Sequence, residues 1–264
     1  MILNDHDYPL TADQVGGVIA APEKQRGGVY GTGQRMAACL TNRAVARWVT
    51  SQGGPYDPRP QFDPHAFVTS TDTLYSLSME GRGTAGPLVT AVTVAVTEAA
   101  TEAATRSAGG RLPVPLLGVL DEAANVCRWR DLPNLYSHFG SRGIVLMTIL
   151  QSWSQGCEVW GAAGMRKLWL AANVKVYGGG VDEEEEFLRY LSHVFGTYDQ
   201  LTASVSCSRG QRSVSQQLHR DQILDVADLA ALPKGRAIVL ASGSRPTLAR
   251  TRPWMTGPHA AAVR

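Results

Sequence analysis

Two adjacent carboxylates, Asp121 and Glu122, stand at the end of the apolar run Val114-Pro-Leu-Leu-Gly-Val-Leu120. A short apolar run with Pro113 and Pro115 at one end and acids at the other reads as a buried parallel strand. Two acids at the end of such a strand are costly unless they are paired or metal-bound. At the carboxyl edge of an open α/β sheet they have a use, because ligands bind in the crevice there. The pattern has the form of a Walker B element. In that role Asp121 holds Mg2+ through water, and Glu122 polarises the water that attacks the γ-phosphate of ATP. The bland alternative is that the pair opens a helix, where acids complement the dipole.

The residues downstream favour the chemical reading. Ala123-Ala-Asn125 comes first, then Leu132-Pro133, then Ser141-Arg-Gly143. A second apolar run, Ile144-Val-Leu-Met-Thr-Ile-Leu150, ends in Gln151-Ser-Trp-Ser-Gln155. A strand ending in a polar amide beside an Asp-Glu strand is the layout of a sensor. Gln151 could hydrogen-bond the γ-phosphate or its water and report hydrolysis to the rest of a motor.

This order resembles the type IV coupling proteins, the TraG and TraD family of conjugative DNA-transfer ATPases. The residues that carry the resemblance are Leu120-Asp121-Glu122, Ala124-Asn125, Leu132-Pro133, Arg142-Gly143, Gln151-Ser152, Gln155 and Trp160-Gly161. Asn173 before Val174-Lys-Val-Tyr177, Gly196-Thr-Tyr198 and Leu232-Pro-Lys-Gly-Arg-Ala-Ile-Val-Leu240 extend it. It runs from about Phe62 to Leu240; each motif is weak alone, and the ordered set is the specific signal.

The resemblance implies a RecA-like, P-loop NTPase-type parallel sheet flanked by helices. It implies ATP and Mg2+ as cofactors and a hexameric ring as the working form. Partners would be single-stranded DNA, the relaxase and other relaxosome proteins, and components of the type IV secretion channel. It implies catalytic roles for Asp121, Glu122 and Gln151, with Arg142 as a candidate for charge stabilisation across a subunit boundary. Many members have Arg-x-Arg-Gly before the sensor strand; here the first position is Gly140. Arg82, in the polar loop Glu80-Gly-Arg-Gly-Thr-Ala-Gly86, is a candidate trans-acting arginine. Members are anchored by transmembrane helices at the cytoplasmic face of the bacterial membrane.

A phosphate-cradling Gly-x-x-x-x-Gly-Lys-Ser/Thr is missing from these residues. The four lysines, Lys24, Lys167, Lys175 and Lys234, none of them after a glycine, exclude it. Gly28-Val-Tyr-Gly-Thr-Gly33-Gln-Arg35 has the glycine spacing only, and reads as a loop with Thr32 capping a helix. The expectation is therefore the later part of a motor domain, inactive alone. Two other readings stay open. One is an FtsK/HerA-type DNA translocase, and the other is a non-catalytic module that docks a relaxosome protein.

Composition sets wide bounds. A chain of 264 residues with 44% hydrophobic and 18% charged residues is globular, and a net charge of +2 argues neither for nor against nucleic acid. Four cysteines without a Cys-x-x-Cys, and six scattered histidines, predict neither a zinc site nor a disulfide framework. The most helical apolar stretch, Leu88 to Ala104, is broken by Glu98 and Glu102, so it does not read as a membrane span.

Three regions are expected. Residues 1–60 are a small helical part and a linker, with one helix from Gly33 to Ser51 and an arginine face at Arg35, Arg43 and Arg47. Residues 61–242 hold the motor portion, and 243–264 a mobile tail. Within the motor portion, strands are expected at Thr73-Leu-Tyr-Ser-Leu-Ser78, at the Asp-Glu and sensor runs, and at residues 173–177, 201–207 and 236–241. Pro87 to Arg106 reads as a crossover helix, and Gly161 to Ala172 as another. The acidic run Glu183 to Glu186 starts a helix, and the resemblance implies that Ser208 to Asp221, rich in Arg, Ser and Gln, is irregular.

Overall fold

The computed structural model describes residues 9–51, 57–78, 84–181, 184–208 and 211–263. The chain divides into two compact units: residues 1–129 with 138–149, and residues 130–137 with 150–264. This division does not coincide with the expected boundary at residue 60.

The first unit opens with short helices: α1 (Pro9–Ala20), α2 (Glu23–Met36), a 3-10 turn at Ala38–Thr41 and α3 (Arg43–Val49). The single helix expected from Gly33 to Ser51 is thus broken. Asn42 is the reason: its backbone is extended, and its side chain accepts from the Ala44 N–H to start α3. The Gly28–Arg35 segment is helical rather than a loop; the Thr32 hydroxyl donates to the Gly28 carbonyl within α2.

Helix α4 (Pro64–Val68) is capped by Asp63 and packs against α5 (Gly86–Arg106). Residues 71–78, expected to hold a strand, carry none. Leu74, Tyr75 and Leu77 are exposed there, and the alternating pattern pairs with no strand among the described residues. Helix α5 fulfils its expectation. Pro87 is at its start, and Ala99, Ala100 and Ala104 form a buried small-residue face. Its threonines satisfy themselves on the helix: Thr90, Thr93 and Thr97 each donate to the carbonyl four residues back.

After a 3-10 turn at Ala108–Gly110 come β1 (Leu116–Leu120), α6 (Ala123–Val126), α7 (Leu132–Phe139) and β2 (Ile144–Thr148). Strands β1 and β2 pair in parallel, from Leu116 opposite Ile144 to Leu120 opposite Thr148. Gly118 matters to this pairing: a Cβ there would lie 2.7 Å from the Leu146 Cδ2. One face of the pair is covered, with Ile144 and Leu120 buried. The other face is open, with Leu117, Val119, Val145 and Met147 exposed. The strand expected to be buried on both sides is therefore buried on one.

The second unit is built on α8 (Trp153–Ala171), β3 (Val174–Tyr177), α9 (Glu185–Phe195), α10 (Val226–Ala230), β6 (Arg236–Ala241) and β7 (Thr247–Arg250). Strand β6 lies between β3 and β7, antiparallel to both. The core is Tyr177, Leu188, Leu191, Leu229 and Ile238, flanked by Trp169, Phe187, Phe195, Leu224 and Leu240. Tyr177 closes it by donating its phenol to the Leu229 carbonyl at 3.0 Å. Helix α8 changes direction at Gly161, whose φ of 70° and ψ of 162° suit glycine.

Strands β4 (Thr197–Ser208) and β5 (Gln211–Gln222) form a ribbon of twelve facing pairs. The stretch expected to be irregular is thus mostly strand. Strand β7 lies within the residues expected as a tail, and α11 (Ala260–Val263) near the end is a single turn. Among the described residues the architecture is α/β with one parallel pair and the remaining pairings antiparallel, not an extended parallel sheet.

Candidate functional site

Strand β1 delivers Asp121 to its carboxyl edge, where the side chain is exposed. The pairing with β2 continues past the strand ends. The Ile149 N–H donates to the Leu120 carbonyl at 3.0 Å, and the Ala123 N–H to the Ile149 carbonyl at 3.1 Å. Between these two bonds the chain must turn, and Glu122 makes the turn with φ 48° and ψ 46°. It is the one non-glycine residue at positive φ among the described residues. A left-handed conformation costs an L-residue about 1–2 kcal/mol. The next turn of chain sustains that cost: Ala123 and Ala124 are wholly buried, and the Glu122 carbonyl accepts from the Asn125 and Val126 amides. Strain held at one acidic residue on a sheet edge points toward function rather than packing.

Behind the turn, Cys127 is buried, and burial pushes its thiol above the ordinary value, against hydrogen bonds from Thr93 and Thr90. It is an inert core thiol. Thr148, opposite Leu120, has a buried hydroxyl oxygen without a partner.

Arg142 lies at the other end of the pair. It closes the 3-10 turn Gly140–Arg142, directly before β2, so it stands at the amino edge while Asp121 stands at the carboxyl edge. Five paired residues separate the edges, or about 16 Å of strand. Within one chain Arg142 therefore does not share a site with Asp121. The Arg142-Gly143 dipeptide has a local explanation: Gly143 is left-handed at φ 79°, and a Cβ there would meet the Arg111 Cγ at 3.3 Å. Arg111 itself holds this turn, donating to the Gly140 and Ser141 carbonyls at 2.7 and 3.2 Å. No residue pattern signals that role, because the partners are backbone atoms far along the chain.

Gln151 belongs to the second unit and is exposed. Its N–H donates to the Gln155 Oε1 at 3.3 Å, and the Ser152 hydroxyl accepts from the Gln155 N–H at 3.1 Å to cap α8. The Trp153 and Ser154 amides donate to the Glu184 carboxylate at 2.9 and 2.6 Å. The sequence places Glu184 only in an acidic helix start. In the structure it also closes the amino end of a different helix. Glu183 and Arg82 lie outside the described residues.

No group of three or more His, Cys, Asp or Glu among the described residues could hold a metal ion. The donors present do suit a magnesium ion held mainly by nucleotide phosphates, since Mg2+ typically takes only one or two carboxylates and keeps its waters. A shallow apolar groove of about 340 Å3 is lined by Gln14, Val15, Val18, Ile19, Val29 and Tyr30. It includes neither acid. No described helix is long and apolar enough to cross a membrane.

Residues 115–234 match a protein-family model described as the TraM recognition site of TraD and TraG. The segment is thus of the coupling-protein type, as the ordered motifs implied. No curated protein matches the chain. Among solved structures, the bacterial conjugative coupling protein TrwBdeltaN70 in its unbound form is 19% identical with a TM-score of 0.46. The match covers 64% of this chain and 38% of that one. The form in complex with sulphate is 19% identical with a TM-score of 0.48, covering 64% of this chain and 37% of that one. TrwB in complex with ADP and Mg2+ is 19% identical with a TM-score of 0.46, at 64% and 38% coverage. The matched part of the chain spans under two fifths of the length of these proteins.

Proposed function

We propose that the chain is the C-terminal portion of the RecA-like motor of a conjugative coupling protein. The whole protein would act as a hexameric ring at the cytoplasmic face of the membrane. It would hydrolyse ATP and drive single-stranded DNA with its relaxase into a type IV secretion channel. The observation that carries this reading is the placement of Asp121 and Glu122 at the carboxyl edge of a parallel pair, inside the segment that matches TraD and TraG. Mg2+ bound to ATP would supply charge neutralisation at the transferred phosphoryl group. Asp121 would hold the water shell of that ion. Glu122, fixed by its left-handed turn, would orient the attacking water and take its proton. Gln151 would report the γ-phosphate. The phosphate-cradling loop would come from outside these residues, and Arg142, at the opposite edge, would act only on a neighbouring subunit's nucleotide. Arg82 is a second candidate for that trans role.

The test is Glu122→Gln in the P-loop-bearing protein. Turnover should fall by roughly 10²–10⁴-fold with ATP binding retained. Unchanged turnover removes Glu122 from the mechanism.

One observation favours a second reading, a docking module for a relaxosome protein. The matched family model is described as a TraM recognition site, and these residues carry no P-loop lysine. A purified chain that binds a TraM-like accessory protein and never binds ATP would favour docking over catalysis.

A further inference from the structure

Helix α9 is bonded at both ends, and the two ends lead to different parts of the second unit. At its amino end, Glu184 accepts from two successive amides of α8, Trp153 at 2.9 Å and Ser154 at 2.6 Å. These amides have no partner within their own helix, and a carboxylate there gains both the hydrogen bonds and the helix dipole. The Glu184 carbonyl meanwhile accepts from the Leu188 N–H at 3.0 Å, so one residue closes α8 and opens α9. Phe187, in the first turn of α9, stacks on Trp153 at 4.8 Å between centroids. Gln151 is tied to the same turn of α8 through Gln155.

At the carboxyl end, the Ser192 hydroxyl lies 2.6 Å from the Gln222 Oε1 and 2.7 Å from the Leu224 carbonyl, donating to one of them. The Ile223 N–H donates to the Gly196 carbonyl at 3.1 Å. These bonds fasten the root of the β4–β5 ribbon to the end of α9. Between the two ends lie eleven helical residues, about 16 Å of rigid rod, with Leu188 and Leu191 wholly buried. A rod held this way shifts as one body.

We propose that Glu184 is a positioning residue for Gln151, and that α9 carries the position of Gln151 to the root of the β4–β5 ribbon. The catalytic meaning of this link rests on Gln151 being the γ-phosphate sensor. The link itself is tested without nucleotide.

The experiment is amide hydrogen exchange on the full 264-residue chain, wild type against Glu184→Ala, Glu184→Asp and Ser192→Ala. In Glu184→Ala the Trp153 and Ser154 amides should exchange roughly two- to thirty-fold faster, the range for a lost helix cap. The Tyr198, Asp221 and Ile223 amides at the ribbon root, which lie in hydrogen-bonded pairs of the ladder, should accelerate with them. Glu184→Asp, which keeps the carboxylate, should restore protection at both places. Coupling is reciprocal, so Ser192→Ala should loosen Trp153 and Ser154 as well as the root. Acceleration confined to Trp153 and Ser154 overturns the proposal and leaves Glu184 as a cap. No acceleration anywhere also overturns it. If Glu184→Ala loses its near-ultraviolet dichroism, Glu184→Asp and Ser192→Ala decide by the same criteria. Gln151→Ala with unchanged turnover in the P-loop-bearing protein would sink the sensor reading and leave the exchange result untouched.

Discussion

The β1–β2 pair and the β3–β6–β7 sheet are made of similarly apolar strands, yet they are finished differently. In the second, only the central strand is enclosed: Ile238 is 0% exposed, clustered with Leu188 of α9 and Leu229 of α10, and Ala237 is buried, while Val174 and Val176 on the edge strand β3 are exposed. In the first, Val119 and Met147 are each 54% exposed. Parallel strands are ordinarily covered on both faces. Apolar content alone therefore does not say whether a strand is enclosed. The two-stranded pair, which has no enclosed central strand, is also the one that presents acids at its edge, whereas the three-stranded sheet presents none of the candidate catalytic residues.

Paired truncation puts the contrast between the two sheets at greatest risk. Ile238→Ala should cost about 2–5 kcal/mol in urea unfolding, because it leaves a cavity in a closed core. Val119→Ala on the open face should cost well under about 1 kcal/mol. Equal costs would mean that the β1–β2 face is covered in solution.

A smaller effect is expected beneath the acids. Thr148→Val removes an orphaned buried hydroxyl at nearly constant shape, and should stabilise the first unit by about 1 kcal/mol. Destabilisation would show that a bound water satisfies that oxygen.

The smallest expected effect separates the units by pH. Burial raises the thiols of both Cys127 and Cys157, with Glu184 and Glu186 adding to the second. The folded state then holds the proton more tightly than the unfolded state. Stability is fully present below the ordinary thiol value of about 8.5 and is lost as pH rises through the folded value. Cys127 is the more deeply buried, so thermal melts between pH 8 and 10, approximately the thiol range, should soften the first unit more than the second. Cys127→Ala should flatten that slope; an unchanged slope would assign it to other groups.

Much of the fold was legible where local signals agreed. Pro87 and the alanine-rich face marked α5 to within a residue, and the runs around Leu120 and Ile144 marked β1 and β2. Legibility failed where structure depends on distant partners. Ser208 to Asp221 is too polar to look like a strand, yet Leu201 opposite Leu218 and Asp199 bonded to Arg220 set its register. Thr73 to Ser78 has the strand pattern and pairs with no strand among the described residues. Strand β7 exists because β6 offers an edge to Thr247–Arg250, which a Pro-rich tail does not announce. For the candidate site, residue types were readable at Asp121, Glu122 and Gln151. The positive φ of Glu122 and the reach of Glu184 to α8 were not, since both are fixed by bonds made across the chain.

The left-handed turn at residue 122 also acts as a filter on heredity. On the proposed mechanism, two separate demands fall on that one codon, a backbone hand and a carboxylate. Glycine or asparagine would meet the first demand more readily than glutamate. A lineage in which catalysis had lapsed would thus be free to drift toward them without harming the fold. Glutamate at this position is therefore the costlier allele to keep, and its frequency among natural variants of this gene is a record of whether selection still acts on the chemistry.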